Sequence, residues 1–164
     1  MKHVTKTLVA VIAATGAFLL SAGPAVATIA QPRLVTWQEV GDTDENWKCG
    51  PVVDHPAGDG IRFRACIIKN ASNDAQAVLV LVNNSGSRIQ INGEANTTIR
   101  INWNPSARNI GDVNCASSPL NTGFQRGCFS QTKPTDQLNG RPLRVTIRLN
   151  VDGYVKVIKY TRND

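Results

Sequence analysis

The stretch of chain that decides the fold is Val78-Leu79-Val80-Leu81-Val82, which ends at Asn83-Asn84. In an extended strand successive side chains point to opposite faces, so this run is apolar on both of them. Valine is also enriched in strands, because its branched side chain packs well on a pleated surface. A strand that is apolar on both faces is typical of a central position with a layer on each side. The sequence therefore predicts a buried central strand here.

Outward from this run, apolar residues alternate with polar ones, and no window of a dozen residues shows sustained helical spacing. Turn signals such as Asp59-Gly60, Asn92-Gly93 and Asp152-Gly153 separate the alternating stretches. Short strands punctuated in this way indicate an all-β fold, either a sandwich or a barrel. The predicted strands are 33–40, 47–53, 61–68, 76–83, 88–92, 98–103, 143–150 and 154–161.

Residues 104–142 break this alternation. The segment is rich in Asn, Ser, Gly and Pro, has few apolar residues and holds the second pair of cysteines. We expect a long loop region that leaves the sandwich and is stapled by a disulfide, since loops of this length are usually functional or poorly ordered. A linker between two domains is the alternative, but the hairpin that follows is too small to fold alone.

The first 27 residues have the pattern of a secretory signal peptide. Lys2 and Lys6 give a basic start, residues 8–20 are an apolar run, and Ala25-Val26-Ala27 is a small-residue cleavage motif. An apolar run of this length is too short for a helix that spans a bilayer. The sequence predicts a bacterial, secreted, extracellular protein with one domain, 28–164, and no membrane span in the mature chain.

Four cysteines follow the predicted signal peptide: Cys49, Cys66, Cys115 and Cys128. In an exported chain an even number indicates disulfides, and four cysteines allow three pairings. We predict that Cys49 pairs with Cys66 and Cys115 with Cys128, because each pair closes a short loop. The spacing lacks the Cys-x-x-Cys motif of zinc sites, and we expect no metal and no other cofactor.

Several short motifs in 47–128 resemble a group of small exported actinobacterial proteins with two disulfides and no assigned activity. The motifs are Trp47-Lys48-Cys49, Arg64-Ala65-Cys66, Asn83-Asn84-Ser85-Gly86, Cys115 and Gly127-Cys128. The resemblance implies an immunoglobulin-like antiparallel β-sandwich and brings no catalytic residue. The secreted subtilisin-inhibitor family is similar in size, export and disulfide number, but its Met-Cys-Pro reactive segment is absent from this chain.

The last hairpin, 143–161, carries the clearest functional signal. We predict a three-residue loop from Val151 to Gly153, because it places Leu149 opposite Val155 and gives one wholly apolar face. The other face then presents a candidate binding set: Arg144, Arg148, Lys156 and Tyr160. Arg148 would lie opposite Lys156, a like-charge pair that favours an anionic ligand between them. A solvated edge whose charges prevent strand addition is the alternative.

No constellation in the sequence points to catalysis. His55 is the single histidine after the predicted signal peptide, and its setting, Asp54-His55-Pro56, indicates a solvent-exposed loop without a nucleophile motif. The acidic run 42–46 lacks the glycine and glutamate spacing of an EF-hand, so a looser calcium loop or a plain turn remains. A hydrolase with a carboxylate pair stays open, because two acids meet only in the fold.

The chain is basic overall, with 18 lysines and arginines against 12 acids. Acids outnumber bases in 28–59, and bases outnumber acids from residue 60 onward. We therefore predict a secreted, monomeric binding module without enzymatic activity, whose partner is an anionic cell-surface polymer or an extracellular protein. The alternative is a protease inhibitor that presents the disulfide-closed loop 115–128 around Arg126, since a constrained loop lowers the entropy cost of binding.

Overall fold

Two β-sheets packed against each other make up the fold, which a computed structural model describes for residues 32–103, 108–135 and 142–163. These ranges contain no α-helix and one short 3₁₀ turn, Glu94–Asn96. In the described ranges no helix could cross a membrane. The predicted all-β sandwich with two disulfides is confirmed. The signal peptide predicted at 1–27 lies outside the described residues.

Thirteen strands are found in the described part of the chain, and most of them are short. They are β1 (Arg33–Val35), β2 (Trp47–Cys49), β3 (Val53–Asp54), β4 (Ile61–Lys69), β5 (Asp74–Asn83), β6 (Ile89–Ile91), β7 (Thr98–Trp103), β8 (Arg108–Cys115), β9 (Ser118–Leu120), β10 (Phe124–Phe129), β11 (Lys133–Pro134), β12 (Leu143–Val151) and β13 (Tyr154–Arg162). Strand β7 has the predicted bounds, and the strands predicted at 61–68, 76–83, 88–92, 143–150 and 154–161 differ only at their ends. The strand predicted at 33–40 ends at Val35, and the one predicted at 47–53 is divided into β2 and β3.

The strands divide into two sheets. In sheet A, β12 lies between β13 and β7, β8 follows β7, and β1 pairs with β8; β6 also pairs with β12, and β9 pairs with β6. In sheet B, β5 lies between β4 and the pair β10 and β11, and β4 also pairs with β2 and β3. The pairings are antiparallel apart from β1 with β8, which is parallel.

The central strand is β5, and it is buried on both faces as its sequence predicts. Leu79 and Leu81 point into the core between the sheets, whereas Val78 and Val80 lie on the outer face of sheet B. All four side chains are at most 1% exposed. The outer cluster is covered by partly buried residues, among them Val40, Trp47 and Phe129.

Both predicted disulfides are confirmed. Cys49 and Cys66 are direct partners in the pairing of β2 with β4, so their bond joins two neighbouring strands of sheet B. Cys115 ends β8 in sheet A and Cys128 lies in β10 of sheet B, so the second bond joins the two sheets. Cys115 and Cys128 are fully buried. The short sequence separation therefore gives the correct pairs, and the structure gives the second pair an additional role.

The prediction of one long loop region at 104–142 is wrong. Strands β8, β9, β10 and β11 all lie in this segment. Strand β10 pairs with β5 along six residues, and β8 is held between β7 and β1. Polar residues and glycines obscure the alternation in the sequence, and the backbone hydrogen bonds offered by neighbouring strands decide the conformation. Residues 104–107 and 136–141 of the segment lie outside the described residues.

The predicted three-residue loop in the last hairpin is also wrong. The turn has two residues, Asp152 and Gly153, and Val151 pairs with Tyr154. Both turn residues have positive φ, 49° and 86°, which is the pattern of the type I′ turn whose twist matches the flanking strands. The Asp152 side chain accepts a hydrogen bond from the backbone N–H of Gln90 at 3.0 Å. Turn geometry and this anchor outweigh the gain of one wholly apolar face.

Candidate functional site

The two-residue turn separates the four residues predicted as one binding set. Residues that pair across an antiparallel ladder share a face, and Arg148 pairs with Val157 while Leu149 pairs with Lys156. Arg144 and Arg148 lie on the outer face of sheet A, where both are exposed. Lys156 and Tyr160 lie on the opposite face of the hairpin. The predicted grouping is therefore wrong, although a binding role for each residue stays a prediction.

Tyr160 and Lys156 have other surroundings. Tyr160 pairs with Val145, is half-buried and packs against the core cluster. A Cβ atom added to Gly50 would lie 2.8 Å from its ring, so this glycine makes room for the tyrosine. Lys156 is exposed near the end of the sandwich and acts electrostatically on His55. The predicted like-charge pair between Arg148 and Lys156 does not form.

The outer face of sheet A brings together a different set of cations, centred on Thr146. Thr146 pairs with Lys159 on one side and with Arg100 on the other. Arg144 and Arg148 lie two residues before and after Thr146 on the same face of β12. We call these four cations the basic cross: Arg100, Arg144, Arg148 and Lys159.

Arg100 and Lys159 are not among the residues predicted from the sequence for this site. A signal for Arg100 exists in the alternation Thr98-Ile99-Arg100-Ile101, which places the arginine on the face opposite the two isoleucines. The position of Lys159 depends on the hairpin register, because a one-residue error in the register moves its side chain to the other face.

All four cations of the basic cross reach solvent. Arg100 has 58% of its side chain exposed and forms an ion pair with Asp112 at 3.5 Å. At about 3.3 Å per residue, the Cα atoms of Arg144 and Arg148 are roughly 13 Å apart along the strand. Among the described residues on this face of β7, β8, β12 and β13, the acidic residue is Asp112. The cross is thus a flat, net positive surface that can contact several anionic groups at once.

Acidic residues concentrate on the other side of the sandwich. Residues 38–46, which we call the strap, run over the outer face of sheet B from Gln38, which pairs with Gly127 of β10, to the start of β2. Val40 of the strap and Trp47 of β2 pack on the apolar cluster of this face. Three acids, Asp42, Asp44 and Glu45, lie between these two anchors. The acids of the strap thus lie on the side of sheet B, whose outer face also carries Arg62 and Arg64, whereas the basic cross lies on sheet A.

The acidic run of the strap makes local hydrogen bonds. Asp44 is engaged locally, since its carboxylate accepts hydrogen bonds from the backbone N–H of Asn46 at 2.9 Å and from the Asn46 side chain at 3.2 Å. Among the described residues there is no group of three or more His, Cys, Asp or Glu residues that could hold a metal ion. The acidic run 42–46 therefore has the geometry of a turn closed by its own hydrogen bonds.

His55 is buried, so the prediction of a solvent-exposed loop histidine is wrong. It is 3% exposed and lies edge-on to Phe63 at 5.6 Å. Its Nδ1 accepts a hydrogen bond from the backbone N–H of Ala57 at 3.2 Å, and its Nε2 lies 3.4 Å from the carbonyl oxygen of Leu149. Burial lowers the pKa of His55, an effect that the backbone carbonyl of Leu149 opposes. Both ring nitrogens are engaged by backbone groups, which indicates a structural role.

The loop 115–128 does not present Arg126 as a protruding residue. Arg126 lies in β10, where it pairs with Leu81 of β5. Its side chain is 29% exposed, forms an ion pair with Glu39 of the strap at 3.5 Å and stacks over Phe124 at 5.4 Å. An inhibitor loop must offer an extended, accessible segment to a protease. Arg126 instead lies in a strand that is paired with β5 on one side and, at Gly127, with Gln38 on the other.

Similarity to known proteins adds no assignment. The chain matches no protein family and no curated protein. The feature left to suggest a function is the outer face of sheet A, where four cations are exposed and Arg100 forms an ion pair with Asp112.

Proposed function

We propose that this chain is a secreted binding module without enzymatic activity, and that the basic cross holds an anionic cell-surface polymer. The observation that carries the proposal is the convergence of four exposed cations around Thr146 from three strands of sheet A. Like charges this close repel one another, and anions supplied by a ligand relieve the repulsion. A flat face fits a polymer, whose charges repeat along its length.

Two further features support the proposal. The strap carries its acids on the side of the other sheet, so a polyanion that approaches sheet A meets a largely positive surface. Two disulfides fit an oxidising compartment such as the outside of a cell. Secretion itself rests on the predicted signal peptide at 1–27.

The test compares two double variants that remove the same charge from opposite sides of the molecule. Arg144→Gln with Arg148→Gln weakens the basic cross, whereas Arg62→Gln with Arg64→Gln, the control, removes two arginines from the outer face of sheet B. The probe is dextran sulfate, and binding is measured by titration calorimetry at about 50 and about 200 mM NaCl. Screening should weaken binding by the wild-type chain strongly over this range.

We expect the sheet A double variant to lose about tenfold or more in affinity, because each arginine contributes a separate charged contact. The sheet B double variant should change affinity by less than about twofold, the effect of net charge alone. Equal losses in both variants, or an affinity that salt does not change, would contradict the proposal.

A further inference from the structure

We infer that the polymer is an acidic polysaccharide and that one of its sugar units occupies a depression beside the basic cross; this inference rests on the proposed function. The depression has a volume of about 380 Å³. It lies between the 3₁₀ turn Glu94–Asn96 and strand β13. Its lining residues are Ala95, Thr98, Arg100, Thr146, Arg148 and Val157.

The polar lining suits a hydroxylated ring. Thr98 and Thr146 are half-buried on neighbouring strands, and each pairs with an arginine of the other strand: Thr98 with Arg148 and Thr146 with Arg100. Within the described ranges neither threonine hydroxyl has a hydrogen-bond partner in the protein. A threonine hydroxyl both donates and accepts, as sugar hydroxyls do, so two of them can hold a sugar ring without excluding either donor or acceptor.

The two arginines of the depression define where the acidic group lies. They are diagonal neighbours across β7 and β12, so an anionic substituent on the sugar can reach either guanidinium. The guanidinium fork matches the geometry of a carboxylate. The ion pair with Asp112 on the neighbouring strand β8 holds Arg100 in place. Binding a carboxylate and hydroxyls together is the chemistry of a uronic acid unit.

The apolar lining of the depression, and the lack of aromatic side chains among the described residues around it, favour an acidic sugar over other polyanions. Val157, with 48% of its surface exposed, and Ala95 can contact the C–H groups of a sugar ring. Among the described residues on the outer face of β7, β12 and β13 there is no aromatic side chain. Stacking on aromatic residues is the main source of affinity for single-stranded nucleic acids, so this face lacks what they need. An inorganic polyphosphate can accept hydrogen bonds from the threonines, but it offers them no donor and has no C–H groups to contact Val157 and Ala95.

The experiment measures the affinity of three probes, polygalacturonate, inorganic polyphosphate and single-stranded poly(dT), at one fixed salt concentration. The test variant carries Thr98→Val and Thr146→Val, which remove both hydroxyls and keep the branched shape. The control is Thr161→Val, since Thr161 is an exposed threonine on the same face, opposite Arg144 and outside the depression. Circular dichroism checks that each variant keeps its strands.

We expect the test variant to lose about tenfold in affinity for polygalacturonate, the effect of two hydrogen bonds, and distinctly less for polyphosphate, which accepts from the hydroxyls but cannot donate to them. The control should bind every probe as the wild-type chain does. If the wild-type chain binds polyphosphate as tightly as polygalacturonate and the threonine variant loses nothing, the inference is wrong while the proposed function stands. Tighter binding of poly(dT) than of polygalacturonate would assign the face to nucleic acid. If none of the three probes nor dextran sulfate binds, both fail.

Discussion

The two sheets share one core, but their outer faces are built in opposite ways. On sheet A the outer positions Arg144, Thr146 and Arg148 of β12 alternate with buried ones, and the two arginines are exposed while the threonine is half-buried. On sheet B the outer positions Val78 and Val80 of β5 are as buried as the core, because the strap and Phe129 cover them. The comparison teaches that a sheet face is left free for binding only where its strands supply polar residues at every second position.

The largest expected effect comes from a charge placed under the strap. Val78→Asp should lower the free energy of unfolding by at least about 4 kcal/mol or prevent folding, because it buries a carboxylate without a partner. The matched control is Val155→Asp, since Val155 is 40% exposed on the outer face of sheet A. It should cost less than about 1 kcal/mol. Urea unfolding followed by tryptophan fluorescence measures both, and similar small losses would mean that sheet B is not covered.

A smaller effect tests how tightly the strap fits. Gln38 and Gly127 exchange two backbone hydrogen bonds, of 2.9 and 2.8 Å, and a Cβ atom on Gly127 would lie 2.6 Å from Val40 and 2.7 Å from Phe129. Gly127→Ala should therefore destabilise the fold by about 1–3 kcal/mol through overpacking. Gly86→Ala is the control, because nothing lies within 4 Å of its added Cβ. A neutral Gly127→Ala would show that the strap moves aside without cost.

The core between the two sheets contains His55, whose titration should make the stability of the fold depend on pH. Burial lowers the pKa of His55, and the Lys156 charge acts in the same direction, whereas the Leu149 carbonyl and Asp152 raise it. The unfolded chain, with an ordinary value of 6.5, then binds more protons than the folded chain at mildly acidic pH. The stabilising effect of neutral His55 is therefore present above pH 6.5 and is lost as the pH falls toward its folded-state pKa.

Unfolding in urea at a series of pH values between 7.5 and 5 measures this effect. The loss should not exceed about 1.4 kcal/mol for each pH unit, the limit for one titrating group. His55→Asn, though less stable at every pH, should show a weaker dependence in this range. An unchanged dependence in the variant would show that other groups cause it.

The smallest effect is expected on the open face. Arg148→Gln should change the free energy of unfolding by less than about 0.5 kcal/mol, because Arg148 is exposed and pairs across the strand with Val157. Arg100→Gln should cost slightly more, up to about 1 kcal/mol, since it loses the exposed ion pair with Asp112. A loss above about 2 kcal/mol from either variant would make the basic cross a structural element and weaken the functional proposal.

The candidate site was only half predictable. Arg144 and Arg148 follow from the alternation within β12, which is a local pattern. Lys159 replaces Lys156 because the turn at Asp152-Gly153 fixes the register, and two competing turn lengths fit the same residues. Arg100 joins the site through the pairing of β7 with β12, a contact between distant parts of the chain. No pattern in the sequence of the hairpin alone predicts that Arg100 lies beside it.

By itself the sequence determined the features that depend on local chemistry: the all-β class from alternation, the two-sided burial of β5 from its unbroken apolar run, and the disulfide pairs from their spacing. The tertiary structure alone decided the strands in 104–142, the burial of His55 and the side of the hairpin on which each cation lies. The reason is physical. Polar strands, a buried polar ring and a hairpin register are stabilised by hydrogen bonds and packing from distant segments, and those partners become neighbours only when the two sheets close.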